Sequence, residues 1–166
     1  MCKSGWSIFT DVLLSDTNLY QTEFEGTTDL SNTTLNNVNL SYAVFEAAGD
    51  FDLSNATLNN VDLSYADFEG AVNLSGANSQ GVDFNGVDFE GFVDLSDSNL
   101  QGSNLTGTTF AGGVDLSDAN LQGSNLTVDF EGAVNLNNAN LQETSLNATK
   151  FVSSASLNGT NLQGAD

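Results

Sequence analysis

The sequence predicts an all-β solenoid whose coil has four short sides. Three observations predict it. Large apolar residues recur every five positions, phenylalanine takes every fourth of them, and the spacing usually widens to six just after each phenylalanine, giving a coil of typically 21 residues. A period of five suits neither regular element. On an α-helix it advances ~500° per repeat and leaves no stripe. In a straight strand its odd spacing alternates faces. The chain must therefore turn once per pentad.

The elements follow in order. Phe9 occupies the first slot, followed by Leu14, Leu19 and Phe24, then Leu30, Leu35, Leu40 and Phe45, then Leu53, Leu58, Leu63 and Phe68. The series runs on with phenylalanine at every fourth centre and, among the other centres, only Ser79 and Phe84 departing from leucine, and it ends at Leu157 and Leu162. Two residues before most centres stands a small or β-branched residue, such as Ala56, Val61, Ala66 or Val82. Residues two apart on extended chain share a face, so each pentad reads as a short strand with two inward side chains and then a corner. Asp or Asn lies between them, pointing outward, and the corners are rich in Gly and Asn, which tolerate turn dihedrals. Seven coils and about half of an eighth fill the chain from Phe9 onward, and residues 1–8 form an N-terminal lid segment in which Trp6 and Ile8 are candidate caps. Phe24, Phe45, Phe68, Phe89, Phe110, Phe130 and Phe151 then form one core ladder.

Ala56-Thr57-Leu58-Asn59-Asn60, Ala66-Asp67-Phe68-Glu69-Gly70 and Ala119-Asn120-Leu121-Gln122-Gly123 resemble the consensus of the pentapeptide-repeat family, Ala-(Asp/Asn)-Leu-x-x. The resemblance covers nearly the whole chain and implies a right-handed quadrilateral β-helix, here of about 7.5 coils. The extra residue after each phenylalanine departs from the family's 20-residue coil and predicts one slightly bulged edge.

Irregularities stand out against the repeat. Phe45 to Leu53 spans eight residues, which predicts a surface bulge across Glu46–Asp52; Leu126 to Phe130 spans four, which predicts a tightened corner. Ser79 and Phe84 are expected to exchange volume across the core, with a functional polar pocket as the alternative. Tyr42 and Tyr65 share a corner in consecutive coils and are expected to stack outside, and Phe92 is expected to cover its corner, with an exposed anchor for a partner as the alternative.

Composition excludes much chemistry. Against 22 Asp and Glu stand two lysines, Lys3 and Lys150, with no His and a formal charge of -20. There is no imidazole base and no phosphate-clamping arginine, and two lysines cannot neutralise a nucleic-acid backbone. Cys2 is alone, so an internal disulfide and a cysteine zinc cluster are excluded. Flat repeated walls offer no cleft to raise one carboxyl pKa, and stacked Asp and Glu diverge into water instead of converging on calcium. No catalytic, cofactor or metal site is expected, and the chain reads as a non-enzyme. The stretch before Asp11 makes a poor signal peptide and no window reaches membrane-span length, so a cytoplasmic location is expected.

The surfaces carry the remaining information. Acids recur beside the phenylalanine column, and Glu46, Glu69, Glu90, Glu131, Asp67, Asp88 and Asp129 form a candidate partner-binding face. Asp29, Asp52, Asp94 and Asp115 line the next side, and Asp62 and Asp83 the side before. Another side is nearly neutral, with Asn99, Asn120, Asn140 and Asn161 beside Gln80, Gln101, Gln122, Gln142 and Gln163, a pattern suited to amide ladders. The leading expectation is a rod acting as a protein-interaction or assembly element, with a protein partner or a second copy bound end to end or as a dimer. The alternative comes from the resemblance: quinolone-resistance members of the family are thought to imitate DNA and bind type II topoisomerases. Twenty charges over ~36 Å give ~0.55 per Å, close to the ~0.59 per Å of B-DNA. Those members typically dimerise through a C-terminal helical module, which this sequence does not show. Ice or surface binding is the third expectation, but threonine is scattered, as at Thr34, Thr57 and Thr109.

Overall fold

The structure is a computed structural model that describes residues 7–8 (backbone alone), 13–46 and 49–166. The described chain contains parallel β-structure and no helix. An eight-stranded parallel sheet runs from Ser7–Ile8 through Thr28–Asp29 and Val93–Asp94 to Ala155–Ser156, and forms the aspartate side of a four-sided tube. A seven-stranded sheet from Glu23–Phe24 to Lys150–Phe151 forms the phenylalanine side. Leu13–Ser15, Thr34–Asn36 and Thr57–Asn59 begin the amide side, which continues as single bridges from Asn78 to Asn161. The fourth side is built from bridges alone, from Asn18 through Asp62 and Asp83 to Ser145.

Register confirms the coil length. Val72 pairs with Val93 and Val93 with Val114, so partners lie 21 residues apart, while Thr28 with Phe51 and Val114 with Val134 mark the long and the short coil. Each side sends two side chains inward. Ala56 and Leu58, Val61 and Leu63, Ala66 and Phe68, and Val72 and Leu74 make up one complete layer and are all buried. Burying each Leu or Phe contributes ~1.5–3 kcal/mol. Serine and threonine are tolerated in the smaller slot because their hydroxyls reach the backbone: Ser98 Oγ donates to the Leu95 carbonyl at 2.6 Å and Thr108 Oγ1 to the Phe84 carbonyl at 2.8 Å.

The seven phenylalanines stack along one edge of the core, with successive ring centroids 4.4–5.2 Å apart and planes within 18°. Each such contact adds ~0.5–1.5 kcal/mol beyond area burial. Phe51 differs from expectation. It is no part of a surface bulge but a buried strand residue 4.3 Å from the Phe45 ring, occupying the slot that Val72 fills one coil on. The two extra residues of that coil fall between Glu46 and Gly49, and the apex of the predicted bulge lies outside the described residues. So do Trp6, Phe9 and the side chain of Ile8. The short coil does tighten its corner: Thr127 alone stands where neighbouring coils place two turn residues, leaving a notch of about 240 Å³ lined by Gly107, Thr109, Thr127, Ala148 and Lys150. Ser79 and Phe84 are both fully buried at adjacent centres of one coil, and Ser79 Oγ has no hydrogen-bond partner among the described residues.

Candidate protein-interaction surface

The outward Asp/Asn column is explained by the corners. At each of three corners the chain reverses through a residue with φ near +55° to +75°, the left-handed region that Gly, Asn and Asp accept most readily. The outward Asp or Asn ahead of the turn accepts a bond from the backbone N–H two residues on. Asp29, Asp52, Asp62, Asp83, Asp94 and Asp115 do so with Oδ1 at 2.8–3.0 Å, and Asn39, Asn73 and Asn135 do the same at 2.9–3.1 Å. This Asx turn holds the corner with either residue, charged or neutral.

The corner after each phenylalanine is different, because there glycine is demanded by space. A Cβ added at Gly70, Gly91, Gly112 or Gly132 would lie 2.0–2.3 Å from the carbonyl oxygen of the glycine one coil before. Backbones approach so closely here that no side chain fits between coils. This glycine ladder joins the phenylalanine side to the aspartate side, and acids flank it on both. Asp67, Asp88 and Asp129 share one column of the phenylalanine side, with Asp67 paired in register to Asp88. Glu46, Glu69, Glu90 and Glu131 share the column that follows the rings. Asp88, Glu90 and Glu131 are exposed, and among the described residues their side chains make no hydrogen bond; Asp67, Glu69, Glu46 and Asp129 are half-buried. The candidate acids therefore lie on one side. The third acidic side contributes only Asp62 and Asp83, both bonded to their corners.

Electrostatics within the column are uneven. Burial pushes the Asp67 carboxyl above its usual range, with repulsion from Asp88 and then Glu69 adding to it. Its Oδ1 is buried without a partner among the described residues. At the far end Lys150 Nζ donates to Asp129 Oδ2 at 2.8 Å, an exposed pair that cancels one of the candidate acids. That pair was legible in the register, 21 residues apart, but the sequence reading did not draw it. The amide side is neutral and internally bonded: Asn99, Asn120, Asn140 and Asn161 each donate to the Asn one coil before at 2.9–3.3 Å, starting from Asn78, and Gln80 and Gln101 donate to Gln101 and Gln122.

Tyr42 and Tyr65 stack outside at 4.9 Å and 20°, and Tyr20, which sequence reasoning passed over, meets Tyr42 edge-on at 5.7 Å. Phe92 is half-exposed, its ring 3.5 Å from where a Cβ of Gly113 would sit.

Four flat sides of short parallel strands, an in-register aromatic ladder and Asx corners define a square β-solenoid. Residues 53–99 match the family description "Pentapeptide repeats (9 copies)", and residues 92–127 and 128–166 match "Pentapeptide repeats (8 copies)". The chain belongs to the pentapeptide-repeat family. It is similar in fold to full-length QnrB1, a plasmid-mediated fluoroquinolone resistance protein, at 17% identity and a TM-score of 0.50, covering 98% of this chain and 93% of that one. HetL, involved in heterocyst differentiation regulation in the cyanobacterium Nostoc, is 20% identical with a TM-score of 0.38, covering 97% and 87%. Rfr23 from the cyanobacterium Cyanothece is 20% identical with a TM-score of 0.32, covering 96% and 84%. No curated protein matches the sequence.

Proposed function

We propose that the chain is a non-enzymatic interaction rod whose two adjacent acidic sides engage a cationic protein partner. The supporting observation is the meeting of the Glu46, Glu69, Glu90, Glu131 and Asp67, Asp88, Asp129 columns with the Asp52, Asp94 and Asp115 column across one glycine corner. Carboxylates repeat there at about the ~4.8 Å strand spacing, a dense linear field that steers a basic surface and fixes its orientation. The test is titration of the pure chain against a lysine-rich histone and against DNA gyrase at low and high salt, repeated with E46Q/E69Q/E90Q/E131Q. Saturable, salt-sensitive binding weakened about tenfold in the variant is expected. Absence of saturable binding to either protein at micromolar concentration and low salt removes the proposal.

A second reading, imitation of DNA toward a type II topoisomerase, is favoured by the ~0.55 charges per Å of rod, close to the duplex value. It predicts inhibition of gyrase supercoiling that fades as salt rises. No inhibition at micromolar protein and low salt removes it.

A further inference from the structure

Resting on the interaction reading above, we infer that the tyrosine corner is the anchor of the acidic surface and takes arginine side chains of a basic polypeptide segment. Tyr20, Tyr42 and Tyr65 are each nearly half exposed, at 48%, 46% and 49%, in a chain whose other aromatic rings mostly face the core. Tyr42 and Tyr65 also adopt φ of 58° and 57°, at the corner position that Gly86 and Gly107 occupy in the next two coils. A bulky residue is disfavoured in that region, and the same corner takes Gln21, Gly86, Gly107 and Ala148 in other coils, so the turn itself does not call for tyrosine. The Tyr65 ring lies over Gly86, where an added Cβ would stand 2.7 Å from two ring carbons, so the next coil leaves room for it only by having no side chain.

The charge around the corner says what fits. It runs between the fourth side, with Asp62 and Asp83, and the phenylalanine side, with Glu23, Asp67 and Asp88. With Tyr42 and Tyr65 stacked on one another and Tyr65 over Gly86, the corner offers the outward half of the rings, with Asp62 and Asp67 on either side of Tyr65, to a planar cation that packs against aromatic carbon and donates to carboxylates. Guanidinium does both, whereas ammonium is a compact charge with a strong hydration shell. The like-charged, in-register Asp67 and Asp88 pair would be relieved by such a cation. A nucleic-acid occupant is disfavoured by the same carboxylates.

The test compares fluorescence anisotropy of labelled nona-arginine and nona-lysine with the full chain and with Y42N/Y65N, which keeps the net charge. Asparagine already occupies equivalent left-handed corner positions at Asn37 and Asn60, so the variant should fold. Wild type should bind nona-arginine about tenfold more tightly than nona-lysine, and the variant should lose that preference while retaining its nona-lysine affinity. Equal binding of the two peptides by wild type, or a preference that survives in the variant, overturns the tyrosine anchor and leaves the acidic rod standing. Binding of neither peptide to wild type overturns both.

Discussion

Replacing Gly91 by alanine tests the account of the bulged corner most directly. The new Cβ would lie 2.3 Å from the Gly70 carbonyl oxygen, 2.6 Å from its carbon and 2.8 Å from the Ala71 nitrogen, where ordinary contact begins at 3.4 Å. All three are backbone atoms, so relief requires the two coils to part by about 1 Å. The ladder bonds on either side, Glu90 N–H to the Phe68 carbonyl at 2.9 Å and Val72 N–H to the Phe92 carbonyl at 3.0 Å, would stretch beyond hydrogen-bonding range. Two lost bonds at ~1 kcal/mol each, with overpacking strain of ~1–3 kcal/mol, put the cost at about 3–5 kcal/mol. For a chain of this size that lowers Tm by roughly 6–20 °C. Gly102→Ala is the control: nothing lies within 4 Å of its Cβ, and only its φ of +67° is penalised, at ~1–2 kcal/mol. Both variants are followed by far-UV circular dichroism on heating. If G91A melts no lower than G102A, the close approach of coils is not what demands glycine there.

Asp88→Asn should stabilise the chain by ~0.5–1 kcal/mol at neutral pH, because the introduced amide can donate to Asp67 as Asn104 donates to Asp83 and Asn135 to Asp115 at 3.0 Å. The sign is set by the raised Asp67 carboxyl: its charged form is the disfavoured one in the fold, so the gain is full above that raised range and shrinks as pH falls through it and wild-type Asp67 takes a proton. Chemical denaturation at several pH values reads this, and a pH-independent difference would contradict it. Ser79→Ala should raise stability by ~1 kcal/mol, since it removes a buried hydroxyl without a partner; a loss would mean that the hydroxyl is satisfied. Ser79→Leu alone should cost ~1–3 kcal/mol by overpacking against Phe84, and S79L/F84L should recover most of it, with additive costs in the double-mutant cycle as the outcome that contradicts volume exchange.

Much of the fold was legible because the pentad converts position into direction. Once Phe24 to Phe151 define one edge, every other column follows by counting, and the register of Val72, Val93 and Val114 agrees. Phe51 was misread because its coil has two extra residues, and counting cannot say whether an apolar residue beside an insertion is in the wall or outside it. The glycines at 70, 91, 112 and 132 were visible as a column, but their cause is a distance between backbones of successive coils, which no single-coil pattern contains. The acidic face was legible in outline. Its internal pairings, Asp67 beside Asp88 and Asp129 cancelled by Lys150, follow from which residues stack, and register arithmetic was sufficient for both; the partial burial of Asp67 was not in that arithmetic.

The Asx corner has a consequence for how such a chain varies. Its geometry uses one side-chain oxygen that aspartate and asparagine supply equally, as Asp94 and Asn73 do in adjacent coils. Six carboxylates could thus become amides with each corner intact, moving the formal charge from -20 toward neutrality while the coil pattern stays the same. Charge in this architecture is tunable apart from shape: exchanging those six acids for amides takes the chain from -20 to about -14 without touching a core residue.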